Sequence, residues 1–205
     1  MSARHNPPAL FSLCGGHPAL DFINTLDDRF SARGPVERLP DYGALLRFAE
    51  QARVLEPRNA RRLAQGGPGG RERALRSARQ LREALATALY ARADGRAVPA
   101  GALGTLERYL HRAARHRELS SRRGGALRWS WGRSRSRAEL PVWLLALSAG
   151  ELMMSEKLQR VRTCRADTCR WLFLDTSRNH TRRWCDMKVC GNRMKARRFQ
   201  ARHQP

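Results

Sequence analysis

Negative charge and aromatic side chains are both scarce in this 205-residue chain. Asp and Glu number 18 against 40 Lys and Arg, which leaves a formal net charge of +22, and aromatic residues make up only 7%. A core must therefore rely on aliphatic side chains, which is feasible because hydrophobic residues reach 41%. The cationic excess attracts polyanions at long range, and nucleic acid is the partner that this balance favours.

Long hydrophobic runs are lacking as well. No stretch approaches the ~18 consecutive apolar residues of a membrane-spanning helix, and the most apolar one covers only residues 140–147. Residues 1–13 contain no apolar run of signal-peptide length and include Pro7 and Pro8. We therefore expect a cytoplasmic protein that does not enter a membrane and whose thiols stay reduced.

Four of the five cysteines form two closely spaced pairs, Cys164 with Cys169 and Cys185 with Cys190. Four residues separate the members of each pair, and fifteen separate the pairs. This spacing is typical of a two-knuckle zinc site, in which four thiolates fill a tetrahedral shell. Because a filled shell leaves no position for water, we expect one structural zinc ion rather than a catalytic one. Two disulfides are the alternative, and they require an oxidising compartment.

The segment that carries these cysteines is also strongly basic. Lysine is rare, so nearly all cations in the chain are arginine, and a bias towards Arg, Ala, Gly and Pro supplies positive charge without any function. Position is therefore more informative than the total. Residues 160–205 hold thirteen Lys or Arg against three Asp, a formal +10, which a zinc ion with four thiolates lowers to about +8.

The first 155 residues show mainly helical periodicity, which predicts a multihelical domain. The predicted helices cover residues 19–26, 41–49, 57–65, 71–93, 99–116 and 140–153. Asp41 is a predicted helix cap, and the glycine-rich segment 66–70 is a predicted break. Alternation in residues 118–131 predicts one short β-hairpin. We expect a mainly α fold, with residues 1–155 as one domain and 156–205 as a second.

The smaller domain shows the element order of a treble-clef zinc finger. Residues 171–174 are a predicted strand, and residues 182–184 are predicted to return as its partner. Between them, Asp175 is expected to close the turn through side-chain to backbone hydrogen bonds. Residues 187–202 are a predicted helix whose start carries the last two zinc ligands.

One side of this last helix is predicted to contact nucleic acid. Lys188, Asn192, Lys195 and Arg202 share the side opposite Cys190, where cations suit phosphate contacts and an amide suits base edges. The alternative is that these residues only form a solvent-exposed face of the helix and bind no partner. For Asn192 we favour bracing of the knuckle after Gly191, a position expected to need positive φ. The predicted DNA contacts are Arg178, Arg182, Arg183, Lys188, Asn192, Arg193, Lys195, Arg197, Arg198 and Arg202.

Polar residues near the start of the chain suggest a second site. His17, Asp21, Asn24 and Arg29 follow a Gly-Gly turn, and such a cluster suits a small polar ligand. Local capping and pairing is the alternative interpretation. Cys14, the fifth cysteine, is expected to be a small buried residue rather than a nucleophile.

Two other functions compete with duplex DNA binding. His180 lies on the predicted hairpin, where treble-clef nucleases place a catalytic His, but no second His or carboxylate cluster accompanies it in the module. An RNA-binding module is the other alternative, but single-strand binders stack bases on aromatic pairs that the module lacks. We therefore expect double-stranded DNA as the partner and no enzymatic activity.

Two stretches resemble known families. Cys169-Arg-Trp-Leu-Phe-Leu-Asp-Thr-Ser-Arg-Asn, then Arg-Arg-Trp-Cys185 and Cys190-Gly191-Asn192-Arg193, resemble the CGNR-type zinc finger over about residues 161–202. Residues 15–26, Gly-Gly-His-Pro-Ala-Leu-Asp-Phe-Ile-Asn-Thr-Leu, resemble the start of the ABATE domain, which precedes this finger in bacterial proteins. The resemblance implies a bacterial transcription regulator with a DNA-binding finger and an N-terminal ligand-sensing domain.

Overall fold

Helices dominate the structure, a computed structural model that describes residues 11–121 and 124–202. The helices are α1 (Pro18–Asn24), α2 (Tyr42–Gln51), α3 (Pro57–Ala64), α4 (Pro68–Ala93), α5 (Ala100–Arg115), α6 (Leu140–Met153) and α7 (Asn192–Arg202). The strands form antiparallel pairs: β1 (Leu26–Asp27) with β2 (Val36–Glu37), β3 (Glu118–Ser121) with β4 (Leu127–Ser130), and β5 (Val161–Thr163) with β6 (Leu172–Leu174). The predicted mainly α fold with a short hairpin near residue 120 is confirmed.

Local sequence explains where most helices begin. The side chain of Asp41 accepts a hydrogen bond of 2.7 Å from the backbone N–H of Ala44, which confirms the predicted cap of α2. The predicted break at residues 66–70 is wrong in its second half. The backbone of Gly67 is extended and Pro68 opens α4, because a proline at the first helical position has no N–H to satisfy. The helix then continues through Gly69 and Gly70.

Helix α1 lies at the centre of the molecule. Its residues from Ala19 to Asn24 are all buried, and it contacts α4, α6 and β6. Apolar side chains from α2, α4, α5 and α6 complete the core around Phe22 and Phe48, both of which have no exposed surface. Among the described residues, no helix is long and apolar enough to cross a membrane.

An ion pair that the sequence analysis did not predict joins the β1–β2 hairpin to α4. Arg82 is only 2% exposed, and its guanidinium donates two hydrogen bonds of 2.7 Å to the carboxylate of Glu37. It also donates to Glu83 at 2.9 Å and to the Thr25 hydroxyl at 3.1 Å. Burial raises the pKa of Glu37, but the bonds and charge of Arg82 outweigh it and leave that pKa below its ordinary value.

The hairpin of the finger differs from the predicted one. Strand β6 pairs with β5, with Leu172 opposite Thr163 and Leu174 opposite Val161, whereas residues 182–184 form no strand. The prediction that 182–184 pair with 171–174 is therefore wrong. The physical reason lies in Arg182, whose backbone N–H bonds to the Asp175 carboxylate instead of a strand.

The β5–β6 hairpin packs on the first domain rather than standing apart from it. Val161, Leu172 and Leu174 belong to the same buried cluster as the helices of residues 11–155. The backbone N–H of Leu174 donates to the carbonyl of Gly15 at 2.7 Å, and the indole N–H of Trp171 donates to Asp27 at 2.9 Å. The finger is thus held in one orientation by apolar burial and by hydrogen bonds.

Candidate zinc centre and nucleic-acid interface

The four paired cysteines converge on one point. Their Sγ atoms all lie within 4.8 Å of one another, and Cys185 Sγ is 3.6 Å from both Cys169 Sγ and Cys190 Sγ. A zinc ion with Zn–S bonds of about 2.3 Å requires S···S edges of about 3.8 Å in a tetrahedron. All four thiols are free, so the disulfide alternative does not apply. The donor set fits one structural zinc ion bound by Cys164, Cys169, Cys185 and Cys190.

Two backbone turns position these ligands. In the first, the N–H of Cys164 donates to the carbonyl of Trp171 at 2.8 Å, and the N–H of Cys169 donates to that of Ala166 at 3.0 Å. In the second, the Asp186 side chain accepts from the N–H of Val189, and the Asp186 carbonyl accepts from the N–H of Cys190. Each pair is therefore presented by a short hydrogen-bonded segment of its own.

Gly191 does not serve the purpose that the sequence predicted, because its φ is not positive. A Cβ at this position would lie 2.4 Å from the sulfur of Met187 and 3.2 Å from the Trp184 ring. The half-exposed Met187 side chain would therefore have to move to admit a larger residue here.

Thiols this close compete for protons when no cation is present. Hydrogen bonds with Cys169 and Cys185 lower the pKa of the Cys164 thiol to about 2, and the hydrogen bond with Cys164 raises the pKa of Cys169. Deprotonation of one thiol thus makes deprotonation of the neighbouring thiol less favourable. A zinc dication favours all four thiolates at once and removes this conflict.

Cys14 lies beside the zinc centre, which the sequence did not predict. It is half-buried, and its thiol packs against the cluster formed by the ligands. Hydrogen bonding with Cys185 is the main cause that lowers the pKa of Cys14. Gly15 and Gly16, which follow it, bring this segment of the first domain against β6.

The residues predicted to bind a small ligand are only partly brought together. Asp21 and Asn24 border one cavity of about 290 Å³, together with Trp171 of the finger. His17 borders a different cavity of about 430 Å³, and its ring nitrogen caps α1 by accepting from the N–H of Ala19. Arg29 forms an ion pair with Glu83.

Asn24 also joins the first domain to the finger, whereas Asp21 forms its hydrogen bond within the first domain. The amide of Asn24 donates to the carbonyl of Leu172 at 2.9 Å and accepts from its N–H at 3.0 Å. The carboxylate of Asp21 accepts from the N–H of Gly15 at 2.7 Å, and burial raises the pKa of Asp21 to about 6 despite that bond. The contacts of His17 and Asp21 are thus local, whereas Asn24 and Arg29 pair with residues far along the chain, so the local-pairing alternative holds for Asp21 but not for Asn24.

Most of the predicted DNA contacts lie on the surface of the finger. The exposed ones are Arg178, Arg183, Lys188, Asn192, Arg193, Lys195, Arg197 and Arg198. Arg193 donates to the Thr168 hydroxyl at 3.1 Å, and Arg197 pairs with Asp167 at 3.5 Å. Arg202 ends α7, and its side chain lies outside the described part of the structure.

Arg182 differs from the other predicted contacts because it points into the finger. Its guanidinium lies 4.7 Å from the centre of the Phe173 ring and donates to the carbonyls of Trp184 and Cys185. Asp175, which accepts from Arg182 N–H and from Ser177, closes this loop as predicted. Arg182 therefore stabilises the loop that precedes Cys185.

Comparisons with known families agree with this architecture. The ABATE family model, described as "Putative stress-induced transcription regulator", matches residues 16–156. The model described as "CGNR zinc finger" matches residues 160–203. A comparison with curated proteins finds no match to this chain. Because the first match covers more than half of the sequence, the chain belongs to the ABATE family, and its C-terminal part is a CGNR zinc finger.

Proposed function

We propose that this protein is a cytoplasmic transcription regulator that binds double-stranded DNA through its zinc finger and senses a small ligand through its first domain. The observation that carries the proposal is an exposed cationic surface formed by α7 and by the π-helical turn Met187–Gly191 that leads into it from the zinc centre. Lys188 in the turn and Asn192 and Lys195 in α7 are all exposed, whereas Cys190 is buried and Met194 is half-buried.

The charges on this side are available to a partner. Within the described residues, Lys188 and Lys195 form no ion pair. The exposed amide of Asn192 makes no side-chain hydrogen bond there either, which favours contact with a base edge over bracing of the knuckle. A helix with this pattern fits the major groove, which admits one α-helix.

Duplex DNA is favoured over single-stranded nucleic acid, and binding over cleavage. The finger's two tryptophans are half-buried, so they do not offer the stacking surface that single-strand binders use. His180 is exposed, but in the described part of the chain no group of three or more His, Cys, Asp or Glu accompanies it as a second metal site. We therefore propose a regulator without catalytic activity.

The ligand is proposed to occupy the cavity beside Asp21, Asn24 and Trp171. At about 290 Å³, it suits a small molecule. A molecule there would touch both α1 and the finger, so its binding can change DNA affinity if it favours one arrangement of the two. Native mass spectrometry of the zinc-loaded chain purified from cells should show a bound small molecule. A spectrum with protein and zinc alone contradicts this part of the proposal.

DNA binding is tested with the zinc-loaded full chain and a duplex titrated at several salt concentrations. Affinity should fall with a log–log slope of about 0.9 per phosphate contacted. Replacing Lys188 and Lys195 together by Ala should weaken binding to all sequences and reduce the slope by roughly two. The matched control replaces Arg58 and Arg61, two exposed cations of α3, by Ala. Salt-independent binding, or equal loss in both variants, contradicts the proposal.

A further inference from the structure

A polar groove separates the C-terminal end of α4 from the zinc knuckle. It encloses about 730 Å³, and four of its lining side chains are arginines: Arg92 from α4, and Arg162, Arg165 and Arg170 from the finger. We propose that this groove is a second surface for the phosphate backbone of the same DNA, so that the ABATE domain itself contacts nucleic acid. The inference rests on the proposed DNA binding and extends it to the first domain.

The two walls of the groove are held together by direct contacts. The hydroxyl of Tyr90 in α4 donates to the carbonyl of Arg170 at 3.0 Å. The guanidinium of Arg170 lies 3.8 Å from the Asp94 carboxylate and 5.0 Å from the centre of the Phe30 ring. The arginines of the two walls are therefore presented together before any partner binds, which lowers the ordering cost of binding.

The positive charge of the groove is only partly neutralised. Of its two carboxylates, Asp94 pairs with Arg96 at 3.0 Å as well as with Arg170 at 3.8 Å, and Asp167 pairs with Arg197 at 3.5 Å. Arg162 donates to the backbone carbonyls of Gln159 and Val161 and forms no ion pair with a described residue.

Arg92 and Arg165 are exposed, and neither forms an ion pair within the described residues. Both charges can therefore neutralise phosphates, a contact that depends on charge.

The groove is continuous with one edge of α7. Asp167 lines the groove and also pairs with Arg197, and the neighbouring Thr168 accepts from Arg193. A nucleic-acid backbone that runs along the Arg193–Arg197 edge would therefore continue past the knuckle towards Arg165 and Arg92. This continuity, together with the polar walls, favours an extended polyanion over a separate small molecule.

The test compares Arg92→Ala with Arg58→Ala in the zinc-loaded full chain. Both changes remove one exposed cation of the first domain, but only Arg92 lines the groove. Arg92→Ala should reduce the log–log salt slope by about one and weaken duplex binding, whereas Arg58→Ala should match the unchanged chain. Arg92→Lys keeps the charge and should bind within about twofold of the unchanged chain.

The other possible results show whether the groove proposal or the proposed function fails. If the Lys188 and Lys195 variant loses binding while Arg92→Ala behaves like Arg58→Ala, the finger binds DNA and the groove proposal is overturned. If Arg92→Lys loses as much affinity as Arg92→Ala, the residue does not act through charge, and the groove proposal is again overturned. If the unchanged chain shows no salt-dependent binding, the proposed function itself fails. Zinc content, measured for every variant, confirms that the finger remains folded.

Discussion

Cys185 occupies a key place in the zinc centre, since its sulfur lies 3.6 Å from those of both Cys169 and Cys190. Replacing Cys185 by Ala should abolish zinc binding, and metal analysis should show one zinc per unchanged chain. The fold of the finger should weaken as well, because structural zinc supplies on the order of 10 kcal/mol of apparent free energy in such modules. Cys14→Ala is the control and should retain the metal. A Cys185→Ala chain with a full equivalent of zinc contradicts the ligand assignment.

Asp21 should make stability depend on pH, because burial raises its pKa to about 6 in the folded chain. The folded state then binds a proton more tightly than the unfolded state, so stability is highest below pH 4 with respect to this group. This contribution of Asp21 to the free energy of unfolding, on the order of 3 kcal/mol, is lost as the pH rises through about 6.

Asp21→Asn removes this titration, and its side-chain oxygen can still accept from the N–H of Gly15. The difference in unfolding free energy between Asp21→Asn and the unchanged chain should therefore grow from pH 4 to pH 7 in favour of the variant. Chemical denaturation of the zinc-loaded chains measures it. A difference that is constant over this range would show that Asp21 does not titrate there.

At the scale of elements, one buried side chain supplies two hydrogen bonds between α1 and β6. Asn24 is 3% exposed and satisfies both the N–H and the carbonyl of Leu172. Asn24→Ala leaves these buried groups unpaired and should cost about 2–4 kcal/mol of unfolding free energy. Asn179→Ala, at an exposed position of the finger, is the matched control and should have little effect. Similar denaturation midpoints for the two variants would contradict the role given to Asn24.

At the scale of the whole molecule, the finger depends on the first domain for part of its core. Val161, Leu172 and Leu174 are at most 8% exposed in the complete chain, and burial of such side chains contributes about 1.5–3 kcal/mol each. A fragment of residues 156–205 should therefore bind zinc but unfold at a lower denaturant concentration than the finger of the full chain. Circular dichroism and limited proteolysis with zinc present measure this. Equal resistance of the fragment would contradict a shared core.

Features that depend on neighbours along the chain could be predicted from the sequence. Helical periodicity and the Asp41 cap fixed the main helices, because both act within one or two turns. The spacing of Cys164, Cys169, Cys185 and Cys190 fixed the zinc site, because each pair needs only a short loop. The predicted helix over residues 187–202 is correct only from Asn192 onward, because residues 187–191 form a π-helical turn, so the predicted stripe does not extend to Lys188 with α-helical geometry.

Features that join distant segments could not be predicted and became visible in the folded chain. Asn24 meets Leu172 across 148 residues, and no local pattern marks that pairing. The β5–β6 register depends on burial of Leu172 and Leu174 against α1. It also depends on Arg182, which donates a hydrogen bond to Asp175 and contacts the Phe173 ring instead of joining a strand. The groove likewise exists only because α4 packs beside the knuckle. These arrangements follow from burial and hydrogen bonding between segments far apart in the chain, which hydrophobic periodicity and residue spacing do not encode.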